Sequence, residues 1–233
     1  QDHDNREDLL ELVRFKSTTE DGYVSLSEYC ARMKADQKNI YYITGDNEAN
    51  LKNSPLLEMY TDKDIEVLIM DQDIDEFVIP SINKYKEHDL KSVNFSDATD
   101  DLQTDENKKE ETNLKPLIKK MKKVLGEQVK DVKASSRLKD SPSCIVADSN
   151  DPTAKMQELM KAMGQAGQQD VKPILEINPS HAIIIKLKDM KKSKSFDNIS
   201  QLLLDQAVLL EGAKLQNPTD FVDRLNNILT ESL

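Results

Sequence analysis

Apolar residues recur along the first part of the chain with two different periods, and the changes of period mark out its elements. Leu9, Leu10, Leu12, Val13 and Phe15 stand among charged neighbours, which predicts the end of an amphipathic helix within residues 5–16. Ser25 to Met33 predicts a second, short helix. Ser25 or Ser27 opens it and Glu28 sits in its first turn, where side-chain oxygens can satisfy amides that lack helical partners. Ile40 to Thr44 replaces this pattern with a continuous apolar run, closed by Gly45 and followed by acidic and polar residues. That is the signature of a buried strand opening into a loop. Such exits often hold nucleotides, but this one lacks the glycine-rich turn that wraps phosphate. Ser54-Pro55 opens a helix through Leu56, Leu57 and Met59, and Ile65 to Met70 is a β-rich run of strand length. Strand, helix and strand in about thirty residues predict a parallel βαβ unit.

In the second half the helical period dominates. Leu114, Leu117, Ile118, Met121, Val124 and Leu125 make one apolar face, Lys119, Lys120, Lys122 and Lys123 occupy the other, and Gly126 is the expected stop. Val129 to Ala134 and Ser143 to Ala147 predict strands, separated by a turn at Asp140, Ser141 and Pro142. Asp151 reads as a cap with Pro152 in the first helical position, opening a helix to Gly164; the stretch after it, to Asp170, is polar and loose. Seven of the nine residues from Leu202 to Leu210 are apolar, so this helix must be covered on more than one side. Gly212 ends it, Asn217-Pro218 opens the last helix, and Phe221, Val222, Leu225, Ile228 and Leu229 form a stripe along it. Two such helices either pack only on their own domain or pair with a second subunit. The scarcity of polar positions favours a two-fold four-helix bundle in a homodimer, with Leu203, Ala207, Leu210, Phe221, Leu225, Ile228 and Leu229 at its interface. The fold class is thus α/β at the start and α+β overall: a small αβα subdomain, then an α+β domain ending in a helical dimerisation bundle.

Composition adds the divisions. A length of 233 residues suits two domains. Asp97 to Glu111 holds seven acids, two lysines and only Ala98 and Leu102 as aliphatics, which predicts a solvated acidic linker from about residue 97. The expected domains are 1–111 and 112–233. A net charge of -11 opposes an extended nucleic-acid surface, and no apolar run approaches the roughly twenty residues needed to cross a bilayer. The sequence begins Gln1-Asp2-His3-Asp4, neither a signal peptide nor an initiator methionine, so it is expected to be part of a longer chain. Cys30 and Cys144, 114 positions apart, sit among apolar neighbours and read as core thiols in a reducing, cytoplasmic compartment. His3, His88 and His181 occur singly, without metal-ligand spacing, and no metal is expected.

Candidate chemistry is sparse, with no phosphate-binding loop, no GxSxG and no HExxH. Asp71, Asp73, Asp75 and Glu76 place carboxylates at near-alternate positions, as a calcium loop does. The glycine such a loop needs is missing and Ile74 occupies its centre, so acids at a helix N-terminus fit better. A small α/β enzyme using the acids around Asp71 is the alternative function. Met156, Leu159, Met160 and Met163 recur at i, i+3, i+4 and i+7. Periodicity alone suits a core stripe, while methionine suits a surface that accepts varied apolar partners. Lys186 to Lys194 holds five lysines and one acid without an aromatic to stack on a base, and reads as a solvated loop.

Several segments in one order resemble the ninety-kilodalton heat-shock chaperones, and among them the bacterial high-temperature protein G branch. These are Leu9–Ser17 (LLELVRFKS), Tyr23–Met33 (YVSLSEYCARM), Gln37–Gly45 (QKNIYYITG), Ile65–Asp75 (IEVLIMDQDID), Ser141–Asp148 (SPSCIVAD), Leu175–Pro179 (LEINP) and Leu204–Gly212 (LDQAVLLEG). The resemblance implies the distal part of a middle domain followed by a C-terminal dimerisation domain. It places ATP, Mg and the catalytic-loop arginine outside this sequence, so no cofactor and no ATP hydrolysis are expected here. It implies unfolded or partly folded client proteins as partners, with a link to the seventy-kilodalton chaperone system. An acid-aromatic client contact would fall on Glu76 and Phe77, where the family commonly has tryptophan at the second position; Pro80 nearby also departs from the bacterial pattern. An amphipathic client helix would carry Met156, Leu159, Met160 and Met163. The chain ends Thr230-Glu-Ser-Leu233 rather than in the acidic pentapeptide of eukaryotic members, so cochaperones that read that tail are not expected.

Overall fold

The computed structural model describes residues 6–103, 105–164 and 171–232; the expectations for residues 1–5, including His3, and for the polar run 165–170 lie outside these. The chain packs as two compact units that divide between Asn94 and Phe95.

The first unit runs α1 (Arg6–Leu12), β1 (Lys16–Ser17), α2 (Leu26–Arg32), β2 (Asn39–Thr44), α3 (Glu48–Lys52), α4 (Glu58–Asp62), β3 (Val67–Met70), α5 (Asp75–Val78), β4 (Lys84–Tyr85) and β5 (His88–Ser92). Its sheet has the order β1-β3-β2-β5-β4. The expected βαβ unit is present: β2 and β3 pair in parallel, Tyr41 facing Val67 and Thr44 facing Met70. Every residue of β3 is buried, as is β2 from Ile40 onward, which is why both read as unbroken apolar runs rather than alternating ones. Ser25 caps α2 in a full capping box, its hydroxyl accepting from the Glu28 amide while the Glu28 carboxylate accepts from the Ser25 amide. At the end of β2, a Cβ on Gly45 would meet Leu51 Cδ2 at 2.7 Å. This glycine makes room for a core leucine of α3.

The second unit runs α6 (Asp105–Leu125), β6 (Asp131–Ala134), β7 (Ser143–Val146), α7 (Ala154–Ala162), β8 (Ile174–Ile177), α8 (Ala182–Asp189), α9 (Lys194–Leu210) and α10 (Pro218–Ser232). Its sheet is β6-β8-β7, with β8 central, parallel to β6 and antiparallel to β7. Helices α6 and α9 pack on this sheet and on each other around Leu117, Met121, Leu175, Ile177, Phe196 and Leu203.

Three expectations are corrected. The acidic stretch from Asp97 is not a solvated hinge throughout: Ala98 and Thr99 are buried, Phe95 bridges to Ala147, and the backbone is helical from Asp105 as the start of α6. Thr153 rather than Asp151 caps α7, its hydroxyl accepting from the Met156 amide at 3.0 Å. The lysine-rich stretch from Lys186 begins inside α8, not in a loop, because Ile184 and Leu187 are three apart and anchor one face in the core.

Candidate functional site

The acids around Asp71 serve the fold. Asp71 leaves the end of β3 and accepts a hydrogen bond from Lys16 Nζ of the neighbouring strand β1 at 2.6 Å, with Gln72 Nε2 on its other oxygen at 3.1 Å. Burial opposes ionisation of Asp71, but these bonds and the Lys16 charge outweigh it and hold its pKa low. The same contacts with Asp71 and Glu48 raise the pKa of Lys16. Asp75 accepts from the Gln72 amide at 3.2 Å, closing the turn into α5, and burial is the main reason its pKa is raised. Among the described residues no three His, Cys, Asp or Glu side chains are grouped to hold a metal ion.

One turn further on, the acid-aromatic pair is split between inside and outside. Glu76 is buried at 4% exposure, and its charge, second to burial, helps push the Tyr42 hydroxyl up to about 12. Phe77 faces solvent together with Ile74 and Val78, so α5 presents a small apolar patch around Phe77. Sequence reading missed the two aliphatic members because neither falls on the motif.

Helix α7 is the larger apolar surface. None of its residues is buried; Met156, Leu159 and Met160 are half-exposed, and Met163 at its end is 64% exposed. What ties it down is polar: the Thr153 cap, and Gln157, whose side chain accepts from the Val171 amide at 3.1 Å. The stripe is therefore not core, although its spacing is the same as a core stripe's.

At the chain's end the expected interface set divides. Leu203 and Ala207 are buried in the core of their own unit, because α9 lies against β7 and α6 and turns these positions inward. Leu210 is 51% exposed, with Leu209 beside it. On α10, Phe221, Leu225 and Ile228 are half-exposed, and Val222 and Leu229 are exposed. Helix α10 is fixed to α9 by Arg224, which donates to Asp205 at 2.7 Å, and by Ser195, which donates to Glu231 at 2.8 Å. Polar contacts thus help set its orientation, while Phe221, Leu225 and Ile228 are partly covered and Val222 and Leu229 of its apolar stripe stay exposed.

A buried network supports this unit. Arg137, with no exposed surface, donates from Nε to Glu176 Oε2 at 3.0 Å and from Nη2 to the Phe95 carbonyl at 2.9 Å, while Ser135 Oγ donates to the same Glu176 oxygen at 2.8 Å.

Comparison with known proteins bears on the whole length. The family model described as "Hsp90 protein" matches residues 1–233. Among curated relatives, the "Chaperone protein HtpG" of Treponema denticola is 48% identical and that of Treponema pallidum 45%, each match covering 98% of this chain and 37% of the relative. The protein of the same name from a Sulfurovum species is 43% identical across all of the chain and 37% of its own length. The chain thus spans little more than a third of these relatives. An identity this high, sustained through both units and both sheets, leaves one assignment: the chain belongs to the Hsp90 family.

Proposed function

We propose that these residues are the distal middle domain and the C-terminal dimerisation domain of a molecular chaperone, and that they hold two subunits together and contact partly folded client proteins. The observation that carries this reading is the pair of amphipathic helices, α7 and α10, whose apolar stripes are only partly covered by their own unit, with Met163, Val222 and Leu229 exposed. Methionine side chains on α7 are unbranched and polarisable, so one surface can repack against many apolar sequences with weak, reversible contacts. The stripe of α10 has the i, i+4, i+7 spacing that a two-fold partner helix would cover. Phe77, with Ile74 and Val78, is a second client contact; Glu76 acts there through its neighbours, being buried. In the full-length protein, as the family resemblance implies, such contacts would be coupled to ATP hydrolysis. Leu51 fills the space beside Gly45 at the strand exit, and this reading assigns the ATP and Mg of the full-length protein to residues outside this span. The same reading takes the cytoplasm as the compartment and the seventy-kilodalton system as a partner, both carried over from the family.

The test replaces Met156 and Met160 with serine and measures both affinity for a permanently unfolded model protein and the melting temperature. The expected outcome is binding weakened by about tenfold with the melting temperature nearly unchanged, since half-exposed side chains carry little of the core. A fall of several degrees without loss of binding would mean that the stripe is structural. The enzyme reading around Asp71 gains no support from the site, where Asp71 is committed to Lys16 and Asp75 to the turn before α5.

A further inference from the structure

A basic face stands out on a chain whose net charge is -11. From Lys115 to Lys123 there are five lysines and no acid, and from Ala182 to Lys194 five more lysines with Asp189 alone. The fold brings these two runs together. Helix α6 packs on α8, and Lys120 Nζ donates to the Met190 carbonyl at 3.4 Å while lying 5.9 Å from the centroid of the Phe196 ring. Lys191, Lys192 and Lys194 are thereby seated beside α6. Lys122 is bonded to Asp131, but Lys115, Lys119, Lys123, Lys186, Lys188, Lys191, Lys192 and Lys194 make no ion pair among the described residues. Just before the lysines of α8, and within a turn of them, Ile183 and Ile185 are exposed.

We propose that this face docks an acidic polypeptide segment in which carboxylates are interleaved with apolar side chains. Charge complementarity argues for an anionic partner, and the two isoleucines for one that also brings apolar surface. The cations are all lysine, compact point charges without the planar fork that grips phosphate in two places, and no aromatic is exposed among them to stack on a base. An anionic bilayer is disfavoured because the remainder of a chain this acidic is repelled by it. A flexible acidic chain meets all of these conditions. The proposal rests on the placement of these charges and of the two exposed isoleucines, and not on the chaperone reading.

The experiment uses the full chain and a short labelled peptide of alternating glutamate and leucine, read by fluorescence anisotropy. Replacing Lys186, Lys188, Lys191 and Lys192 by glutamine is expected to weaken binding by about tenfold and flatten its salt dependence. A control with the same change in net charge, Lys38, Lys52, Lys63 and Lys84 to glutamine in the first unit, is expected to change affinity less than about twofold. Ile185→Ser should weaken binding without altering the salt dependence. If the first quadruple variant does not fold, Lys119→Gln with Lys123→Gln tests the α6 side of the same face. Equal binding by the two quadruple variants, or preference for oligothymidylate or phosphatidylglycerol vesicles over the peptide, would overturn the proposal.

Discussion

At the scale of single residues, two ionic contacts do most to fix local geometry. Arg137 and Glu176 are both buried, so each is tolerable only because the other, Ser135 and the Phe95 carbonyl satisfy it. Removing one partner leaves an uncompensated charge in the core. Glu176→Ala is therefore expected to destabilise the second unit by about 3 kcal/mol, read from urea unfolding, whereas converting both residues to apolar ones of similar size should cost less. Asp71 and Lys16 tie the edge strand β1 to β3. The Asp71 pKa is depressed in the folded chain, so its contribution is in place above the ordinary value of 3.8 and is lost as the pH falls through the lower folded value. Lys16→Met removes the largest lowering influence and leaves the burial and the hydrogen bond from Gln72. The Asp71 carboxyl should then titrate higher than in the native chain by NMR; an unchanged titration would show that Lys16 is not the cause.

At the scale of elements, the same helical spacing serves opposite ends. Leu203 and Ala207 on α9 and Met156 and Met160 on α7 all lie on apolar stripes, yet α9 is clamped between sheet and helix while no residue of α7 is fully buried. Leu203→Ala is accordingly expected to cost about 2–4 kcal/mol in denaturant unfolding, and Met160→Ala much less than half of that. This contrast explains which parts were legible in the sequence. The βαβ unit was readable because β2 and β3 are buried on both faces and carry unbroken apolar runs. Strand β8 was not: its four residues include Glu176, which looks like a surface charge until Arg137, distant in sequence, is placed against it. The β4–β5 hairpin escaped for a related reason, since its residues are mostly polar and its turn rests on Lys86 at φ 51, a left-handed conformation no composition rule assigns to lysine. Nor could periodicity divide the expected interface into buried and open halves, because which side of a stripe meets the core is decided by tertiary packing alone.

At the scale of the molecule, each unit has its own sheet and its own core, so a chain beginning at Phe95 is expected to fold alone and unfold cooperatively by circular dichroism. The second unit also carries the partly covered apolar stripe of α10. The central claim is that this stripe joins two subunits, and sedimentation velocity over a concentration series tests it most directly, comparing the chain with Leu225→Asp, which sets a charge at the middle of the stripe. The account predicts a dimer for the native sequence and, for Leu225→Asp, a monomer of unchanged helix content. A native chain that stays monomeric at every concentration, or a dimer that Leu225→Asp leaves intact, would contradict it.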